Sequence, residues 1–424
     1  MNPLDIGAGV LLGLAFVLAG VVAVRAGRRS GLGITHPGLV WLAGHGVLFG
    51  FGSFALALGS GRPGPAAYLA AAVAAFAVGM ALAERLARRS SSAARGSVPS
   101  ELRAWVVAAL AIASVLIVVP TLVTIGIPFL VGDITSARVE LSGLIVQPLR
   151  VFLPAAAVVA VLEGRRYGRR RIGLAVAAVL GVAVFELLLA SRYLLAELAA
   201  AIVLGWLLDG GRIPRRVGLA AAAAALAVFG GVQLLRAYDQ AQGRELAFVV
   251  ERTVNRVLFI QPRTIDALMT VIPAEQPHFG GATWLRRLGP ILGSEPPPNL
   301  GYWIYPRVVG ESGTGTTPSV AGYAAPGLLG EAWANLGWLG ALLFVIVGFG
   351  AGRLGELVAA HRHSVANVVA GALATLFLAR THALGLNGVF VVLVLVAVWR
   401  LAVAPALDLP RAAIALVERR RSWR

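Results

Sequence analysis

Apolar runs of about 20 residues recur along the chain and are separated by short polar segments. A helix needs about 20 mostly apolar residues to cross the hydrocarbon core of a bilayer, where backbone polar groups must be satisfied within the protein. The 424 residues are 58% hydrophobic and only 13% charged, which is not the composition of a soluble domain. The sequence therefore predicts an all-α, polytopic membrane helix bundle.

We predict about 11 transmembrane helices and four regions of the chain. The expected spans are 5–24, 38–58, 65–83, 104–125, 145–162, 172–190, 193–208, 217–235, 326–351, 364–379 and 384–399. The regions are an N-terminal bundle of about eight helices (1–235), a large loop (236–323), about three C-terminal helices (324–402) and a basic tail (403–424).

The arginines predict the orientation of these spans. All 37 basic residues are Arg, and most lie in short clusters between apolar runs. With the N-terminus outside, the cytoplasmic loops and tail hold 24 arginines, against 5 on the other side when the long loop is left out. Long loops escape the positive-inside rule, so this comparison decides the orientation. We predict that the C-terminus is cytoplasmic. The same clusters account for the net charge of +17 and make nucleic acid an unexpected partner.

Soluble catalytic motifs are absent from the sequence. There is no cysteine, no phosphate-binding loop, no H-E-x-x-H and no G-x-S-x-G, and the six histidines do not form a metal site by their spacing. We therefore expect no metal and no cofactor.

The long segment 236–323 is predicted to be a folded extracytoplasmic cap. It holds nine of the 22 prolines and includes the aromatic runs FGGATW and GYWIYP, which is not the composition of a flexible linker. Its first part, GRELAFVVERTVNRVLFIQ, places apolar residues on one helical face and charged residues on the others. This pattern is typical of an amphipathic helix that lies on the membrane surface or on the bundle.

Ionisable residues at membrane depth are functional candidates because a charge in the bilayer costs several kcal/mol unless it faces protein or water. His45 lies within a predicted span, and the others gather at the predicted outer ends of helices. Those at the outer ends are Glu186, Arg192, Glu197, Glu331, Arg380 and His382. For Arg192 an ion pair with Glu186 or Glu197 is an alternative, and for Arg380 the alternative is snorkelling to the interface. His45 is expected to be a hydrogen-bonded core residue.

Glu331 is the least easily explained of these residues. It lies in an otherwise uncharged run from Val320 to Gly352, so no charged residue is close to it in sequence. Either a distant arginine pairs with its carboxylate or the carboxylate takes part in proton transfer. The arginines of the cap are largely balanced by its acids, and a minority of them could hold a diphosphate, which the guanidinium fork binds in a bidentate manner.

Three segments together resemble a known family. They are ASRYLLAELAA around Arg192, FGGATW, and TPSVAGYAAPGLLGEAWANLGWLG. With the many helices and the large late loop, they resemble the Wzy-type oligosaccharide repeat-unit polymerases, which make O-antigen and capsule glycans, over roughly residues 180–400. The residues that carry the likeness are Thr317, Pro318, Ser319, Gly330, Glu331, Trp333, Asn335, Gly337 and Gly340. Trp333 departs from the Tyr or Phe that is frequent in the family.

The resemblance implies a glycosyltransferase of the bacterial cytoplasmic membrane whose active site faces the extracytoplasmic side. It would polymerise polyprenyl-diphosphate-linked oligosaccharide repeat units by an inverting, metal-independent transfer, with membrane lipids around it and a chain-length regulator and a flippase as further partners. Arg192 is the arginine best matched to the family, and Arg263, Arg307 and Arg380 are weaker substrate-binding candidates. Glu331 would be the base or would orient an arginine, and His278 and His382 compete for the role of base.

Two other functions stay open. An O-antigen ligase-like enzyme would move the finished glycan to a different acceptor, which the sequence does not identify. A lipid-linked oligosaccharide flippase or another transporter would need charges along a path through the bilayer, with some at its midplane. Here the central parts of the predicted spans are almost entirely apolar, which favours the glycan transferase.

Overall fold

The computed structural model describes residues 3–90, 147–167, 169–188, 192–214, 258–286, 297–309, 324–362 and 365–382, with shorter pieces inside 111–127 and residues 216, 250 and 254. In these ranges every regular element is helical, which confirms the all-α prediction. The helices are α1 (Pro3–Ser30), α2 (Pro37–His45), α3 (Phe51–Ser60), α4 (Gly64–Ser90), α5 (Gln147–Tyr167), α6 (Arg169–Leu188), α7 (Arg192–Leu208), α8 (Ile260–Val271), α9 (Leu300–Val309), α10 (Gly327–Leu336), α11 (Leu343–His361) and α12 (Val365–Ala379).

Four helical segments are long and apolar enough to cross a membrane. They are Pro3–Ser30, Pro37–Ser60, Gly64–Ala87 and Gly327–Ala360. A π-helical turn at Gly46–Gly50 joins α2 to α3 in the second segment, and a 3₁₀ turn at Gly337–Leu342 joins α10 to α11 in the fourth. These segments coincide with the predicted spans 5–24, 38–58, 65–83 and 326–351, so the chain has the helices of a membrane protein.

The remaining predicted spans are only partly covered. Spans 145–162, 172–190, 193–208 and 364–379 fall on α5, α6, α7 and α12, but the apolar stretches of the last three have only 10 to 17 residues. Spans 217–235 and 384–399 lie outside the described residues, and 104–125 lies mostly outside them. The predicted region boundaries near residues 235, 323 and 402 also lie outside, so the count of 11 spans stays a prediction.

The chain divides into two compact units. The first consists of Met1–Ala93, Leu226–Glu356 and Phe377–Phe390, and the second of Ala94–Ala225, Leu357–Leu376 and Val391–Arg424. Within the second unit α5 packs against α6 and α7. Gly205 of α7 allows a close approach to α5, because a β-carbon there would lie 2.4 Å from Val158 Cγ1.

The first unit is built on close helix packing at glycines. α4 and α11 run in the same direction, since Gly348 of α11 faces Phe76 of α4 and, one turn further on, Gly352 faces Ala83. A β-carbon at Gly79 or Gly348 would lie 2.0 Å from a backbone carbonyl oxygen of the other helix. Small residues that let backbones approach are the usual contact of membrane helices, where no hydrophobic effect drives association.

The α1 to α4 bundle has two chemically different ends. At the first, here called the Arg62 end, Arg62 forms an ion pair with Asp266 of α8. At the second, the Glu84 end, Arg25 and Arg29 of α1 both pair with Glu84 of α4. The helices therefore carry ionic contacts at both ends and an apolar core between them.

His36 contacts α1, α2 and α11 at the Glu84 end, and a β-carbon at Gly27 of α1 would lie 3.3 Å from its Cβ. Its ring Nδ1 accepts the backbone N–H of Gly38 at 3.2 Å and so caps the start of α2, while the ring packs against Gly355 of α11. His36 is 1% exposed and lies between the first two candidate spans. Burial lowers the pKa of its imidazole to about 4 from 6.5, because the charged form would lose its hydration.

Candidate functional site

A tight turn at residues 278–284, here called the HFGGATW turn, folds over the end of α10. The backbone N–H groups of Phe279 and Gly280 donate to the carbonyls of Ala334 and Asn335, both at 3.0 Å. Gly280 and Gly281 have φ angles of +57° and +95°, a region that glycine adopts without steric cost. The turn thereby satisfies carbonyl groups that the end of a helix leaves without partners.

The side chain of Asn335 binds this turn to α10 through three hydrogen bonds and makes a fourth within α10 itself. Its Oδ1 accepts the backbone N–H groups of Gly281 at 3.0 Å and Thr283 at 3.3 Å. Its Nδ2 donates to Thr283 Oγ1 at 2.5 Å and to the carbonyl oxygen of Glu331 at 2.8 Å. Asn335 is 1% exposed, so these bonds are shielded from water. We call this arrangement the Asn335 clasp.

Directly after the clasp the predicted helix 326–351 is interrupted. Gly337 has φ +57° and ψ −136°, so α10 ends at Leu336 and a 3₁₀ turn leads into α11. A β-carbon at Gly337 would lie 2.9 Å from Nε2 of His278, so the glycine also makes room for that ring. The predicted span 326–351 is therefore helical on both sides of a break at Gly337, where the backbone adopts a conformation that suits only glycine.

The ring of His278 is held by the end of α10. Its Nδ1 lies 3.1 Å from the carbonyl oxygen of Trp333. Because a carbonyl can only accept, the bonded nitrogen is the one that carries the proton in the neutral imidazole, which leaves Nε2 as the acceptor. The residue is exposed. In this tautomer Nε2 is the nitrogen that can accept a proton.

Aromatic rings pack around the same helix end. Trp333 makes edge-to-face contacts with Tyr68 at 5.1 Å, Trp338 at 5.7 Å and His278 at 5.8 Å between ring centroids. Tyr68 is fully buried, and both its hydroxyl and Trp333 Nε1 have no hydrogen-bond partner among the described residues. Buried polar groups without partners are uncommon in proteins and often mark a place for water or ligand.

Glu331 lies one turn before Asn335 on α10. Its side chain is half-buried, and its backbone carbonyl is bound by the clasp. α10 packs against α8 and against the 3₁₀ turn Arg380–His382. The predicted candidates Glu331, His278 and Arg380 are thus carried by elements that contact one another in the first unit.

Arg307 lies close to the HFGGATW turn. It forms an ion pair with Glu275 at 2.8 Å, and its guanidinium lies 5.8 Å from the Trp303 ring centroid. Trp303 in turn contacts Phe279 of the turn at 6.2 Å. Arg307 is exposed, so its guanidinium can also reach a ligand in solvent.

The other candidate arginines differ in their surroundings. Arg263 is exposed on α8, 5.8 Å from the Phe259 ring centroid. Arg380 is half-buried, with its guanidinium 6.0 Å from the Phe377 ring centroid. The side chains of Arg192 and His382 lie outside the described residues, although Arg192 begins α7 as the sequence predicts.

His45 is a hydrogen-bonded core residue, as predicted. It is 1% exposed, its Nδ1 lies 3.0 Å from the carbonyl oxygen of Trp41, and its Nε2 lies 3.4 Å from Thr381 Oγ1. Trp41 also donates to the Thr381 hydroxyl at 2.9 Å. The histidine therefore links α2 to the turn that carries Arg380.

The amphipathic segment of the cap is described only in part. Most of 243–259 lies outside the described residues, and the helix that follows, α8, packs against α3, α4 and α10 within the first unit. A β-carbon at Gly52 of α3 would lie 2.0 Å from the carbonyl oxygen of Leu258, so this part of the segment enters the bundle.

Three functional candidates were missed from the sequence. In the sequence Asn335 stands out only as part of a motif, and nothing in the pattern distinguishes Thr283 or Tyr68. A polar amide in an otherwise apolar helix, followed by two glycines at Gly337 and Gly340, was the available signal. Within the described ranges no three His, Asp or Glu residues are grouped so that they could hold a metal ion.

Comparisons of the chain with protein-family models, with curated proteins and with solved structures gave no match. The case for a function therefore rests on the residues of the chain and on the geometry described above.

Proposed function

We propose that this chain is a membrane glycosyltransferase that polymerises polyprenyl-diphosphate-linked oligosaccharide repeat units at the outer leaflet of the bacterial cytoplasmic membrane. The observation that carries the proposal is the Asn335 clasp. Two of the segments that resemble the polymerase family, FGGATW and GEAWANLGWLG, form one hydrogen-bonded structure, although Gly281 and Asn335 are 54 positions apart.

The clasp connects the two elements that carry the candidate bases, His278 on the turn and Glu331 on α10. His278 offers an acceptor nitrogen, and Glu331 offers a carboxylate on the helix that holds the His278 ring. One of them takes the proton of the acceptor hydroxyl as its oxygen bonds to the anomeric carbon of the donor sugar. The bond from that carbon to the diphosphate breaks in the same step, so the configuration inverts. The departing diphosphate takes the bonding electrons and no metal is needed.

Arginines stabilise the charge that develops on the diphosphate. Arg307 is the best placed of the described candidates, because it is exposed and contacts Trp303 beside the HFGGATW turn. Arg380 and Arg263 contribute from elements that pack with or beside α10. Arg192 remains a candidate through its resemblance to the family. His382 is the remaining alternative base.

We further propose the orientation in the membrane. The Glu84 end, where Arg25, Arg28 and Arg29 lie in the last turns of α1, faces the cytoplasm, and the Arg62 end faces outward with segment 236–323 as its cap. All 11 predicted spans belong to this topology. A reporter fused after Arg171 is expected in the cytoplasm, and a reporter inserted within 296–299 is expected outside.

The test of function uses the purified full-length protein and a synthetic polyprenyl diphosphate repeat unit. We expect a ladder of products that is lost in His278→Asn or Glu331→Gln, whichever is the base, and weakened in Arg192→Ala and Arg307→Gln. Arg353→Gln is the matched control, because its ion pair with Glu356 lies on α11 away from the turn.

The alternatives give different products. A single transfer to a second acceptor without a ladder would indicate the ligase-like enzyme. Transbilayer movement of the lipid without any new glycosidic bond would indicate a flippase and would overturn the proposal.

A further inference from the structure

A groove runs along the exposed face of α1 towards the Glu84 end. Its volume is about 550 Å³, and the described residues that line it all belong to α1. One half is apolar and extends from Val17 to Val24, and the other half is basic and contains Arg25, Arg28 and Arg29. The groove is separate from the HFGGATW turn, which lies on other elements.

The apolar half is open to the surroundings. Val17 and Val21 are 65% and 63% exposed, and Gly20 between them has no side chain to fill the space. Exposed valines on a candidate membrane span face lipid. This half therefore offers a surface for an acyl chain.

The basic half carries an excess of positive charge. Arg25 contacts Glu84 with Nε to Oε1 at 3.4 Å, and Arg29 pairs with the same carboxylate. Arg28 is exposed beside them. Arg25 and Arg29 share one acid on α4 and Arg28 adds a third guanidinium, so among the described residues of this half positive charge exceeds negative charge and attracts an anion.

The length of the groove matches one leaflet of a bilayer. Val17 and Arg28 are 11 positions apart, and a helix rises about 1.5 Å per residue, which gives about 16 Å. The hydrocarbon core is about 30 Å thick, so a single leaflet is about 15 Å. When the arginines lie at the level of the headgroups, the valines lie along the acyl chains down to about the middle of the membrane.

We propose that this groove is a binding site for one anionic diacyl phospholipid. Arg25 and Arg28 hold the headgroup phosphate by charge-assisted hydrogen bonds, and an acyl chain lies against Val17, Val21 and Val24 where Gly20 leaves room. A free phosphate would use only the basic half and would gain nothing from the apolar half. The site does not depend on glycosyl transfer.

Native mass spectrometry of the delipidated full-length protein tests the site. The protein is titrated with phosphatidylglycerol, with phosphatidylcholine of the same chain length, and with inorganic phosphate. We expect one tightly bound phosphatidylglycerol, weaker phosphatidylcholine and no binding of phosphate at equal concentration. Each arginine near an anionic headgroup strengthens binding about fivefold, so Arg25→Gln with Arg28→Gln is expected to weaken phosphatidylglycerol about 30-fold.

Two matched pairs of variants separate the two halves of the groove. Gly20→Leu fills the apolar half, and a β-carbon there meets no other atom within 4 Å, so the fold tolerates it. Gly13→Leu on the same helix is equally tolerated and lies outside the groove. Arg85→Gln removes an exposed arginine of α4 that does not line the groove.

We expect Gly20→Leu to weaken binding of phosphatidylglycerol, and Gly13→Leu and Arg85→Gln to leave it unchanged. Equal binding of the two lipids, or an equal loss in Arg85→Gln and in the double arginine variant, would overturn the site in favour of non-specific surface charge. If the double variant does not fold, the comparison of Gly20→Leu with Gly13→Leu still tests the site. Both variants keep every arginine, and equal binding of phosphatidylglycerol by the two would overturn the proposal.

Discussion

Replacing Asn335 with alanine removes the side chain that joins the HFGGATW turn to α10. Four hydrogen bonds are lost, two accepted by Oδ1 and two donated by Nδ2. A hydrogen bond contributes about 1 kcal/mol net, and the buried partners that remain unsatisfied add to the cost. We expect the free energy of unfolding to fall by about 4 kcal/mol, with the turn detaching before the helices unfold.

The assay is unfolding of the detergent-solubilised protein followed by tryptophan fluorescence, combined with hydrogen exchange of the peptide that contains the turn. Exchange is expected to rise in Asn335→Ala because the N–H groups of Gly281 and Thr283 lose their acceptor. Asn335→Asp keeps that acceptor and loses both donations of Nδ2, to Thr283 Oγ1 and to the carbonyl of Glu331, so an intermediate loss is expected.

A double-mutant cycle tests whether the contact itself is responsible. Thr283→Val removes only the hydroxyl that Asn335 donates to, and its combination with Asn335→Ala is expected to show a coupling energy of about 1 kcal/mol. Thr270→Val is the matched control, because its hydroxyl bonds to the carbonyl of Asp266 within α8. A zero coupling energy with Thr283→Val, or the same coupling with Thr270→Val, would refute the clasp.

Three further predictions concern stability. The pKa of His36 is about 4 in the folded protein, and its ordinary value is 6.5. The free energy of unfolding therefore keeps the full contribution of the neutral ring above pH 6.5 and falls by about 1.4 kcal/mol per pH unit from there down to pH 4. His36→Asn should abolish this slope in melting curves taken across that range. Gly79→Ala should destabilise by about 3 kcal/mol, since its β-carbon would meet the carbonyl oxygen of Val345, and an unchanged melting temperature would contradict the close packing of α4 and α11. Arg307→Gln should change stability by less than about 1 kcal/mol, because its ion pair with Glu275 is exposed, so a loss of glycan products in this variant would indicate contact with substrate.

Much of the helical architecture could be predicted from the apolar runs. The starts of the predicted spans 5–24, 38–58, 65–83 and 326–351, and those of α7 and α12, match helices of the structure within a few residues. This works because hydropathy alone decides whether a segment of about 20 residues can lie in lipid. The core role of His45 was also predicted, since a single histidine in an apolar helix needs partners inside the protein.

The break at Gly337 could not be predicted in the same way. The sequence around it is as apolar as the rest of the span, and one glycine among 51 does not reveal a positive φ. The break depends on tertiary contacts, because the turn at 278–284 caps α10 and places His278 where a side chain on residue 337 would stand. Hydropathy contains no information about such a distant contact.

The candidate site was predicted as a set of residue types but not as a geometry. Glu331 was singled out because a carboxylate in an apolar run is costly, whereas Asn335 is uncharged and gave no such signal. In the structure the side chain of Asn335 makes the hydrogen bonds that hold the turn, and the Nδ1 of His278 lies beside the carbonyl oxygen of Trp333. The roles of these residues depend on which backbone groups they meet, and spacing in the sequence does not specify that.

The clasp also bears on the choice between Glu331 and His278 as base. A base must keep its position while the acceptor and donor sugars bind, and a side chain on a turn is less precise than one on a helix. His278 lies on the turn, but the end of α10 holds its ring through the Trp333 carbonyl, and the clasp holds the residues that follow it. Loosening the clasp should therefore displace His278 more than Glu331, which stays in the body of α10. If His278 is the base, Asn335→Asp should lower the rate of glycan transfer more than its stability loss explains, whereas with Glu331 as base the two effects should fall together.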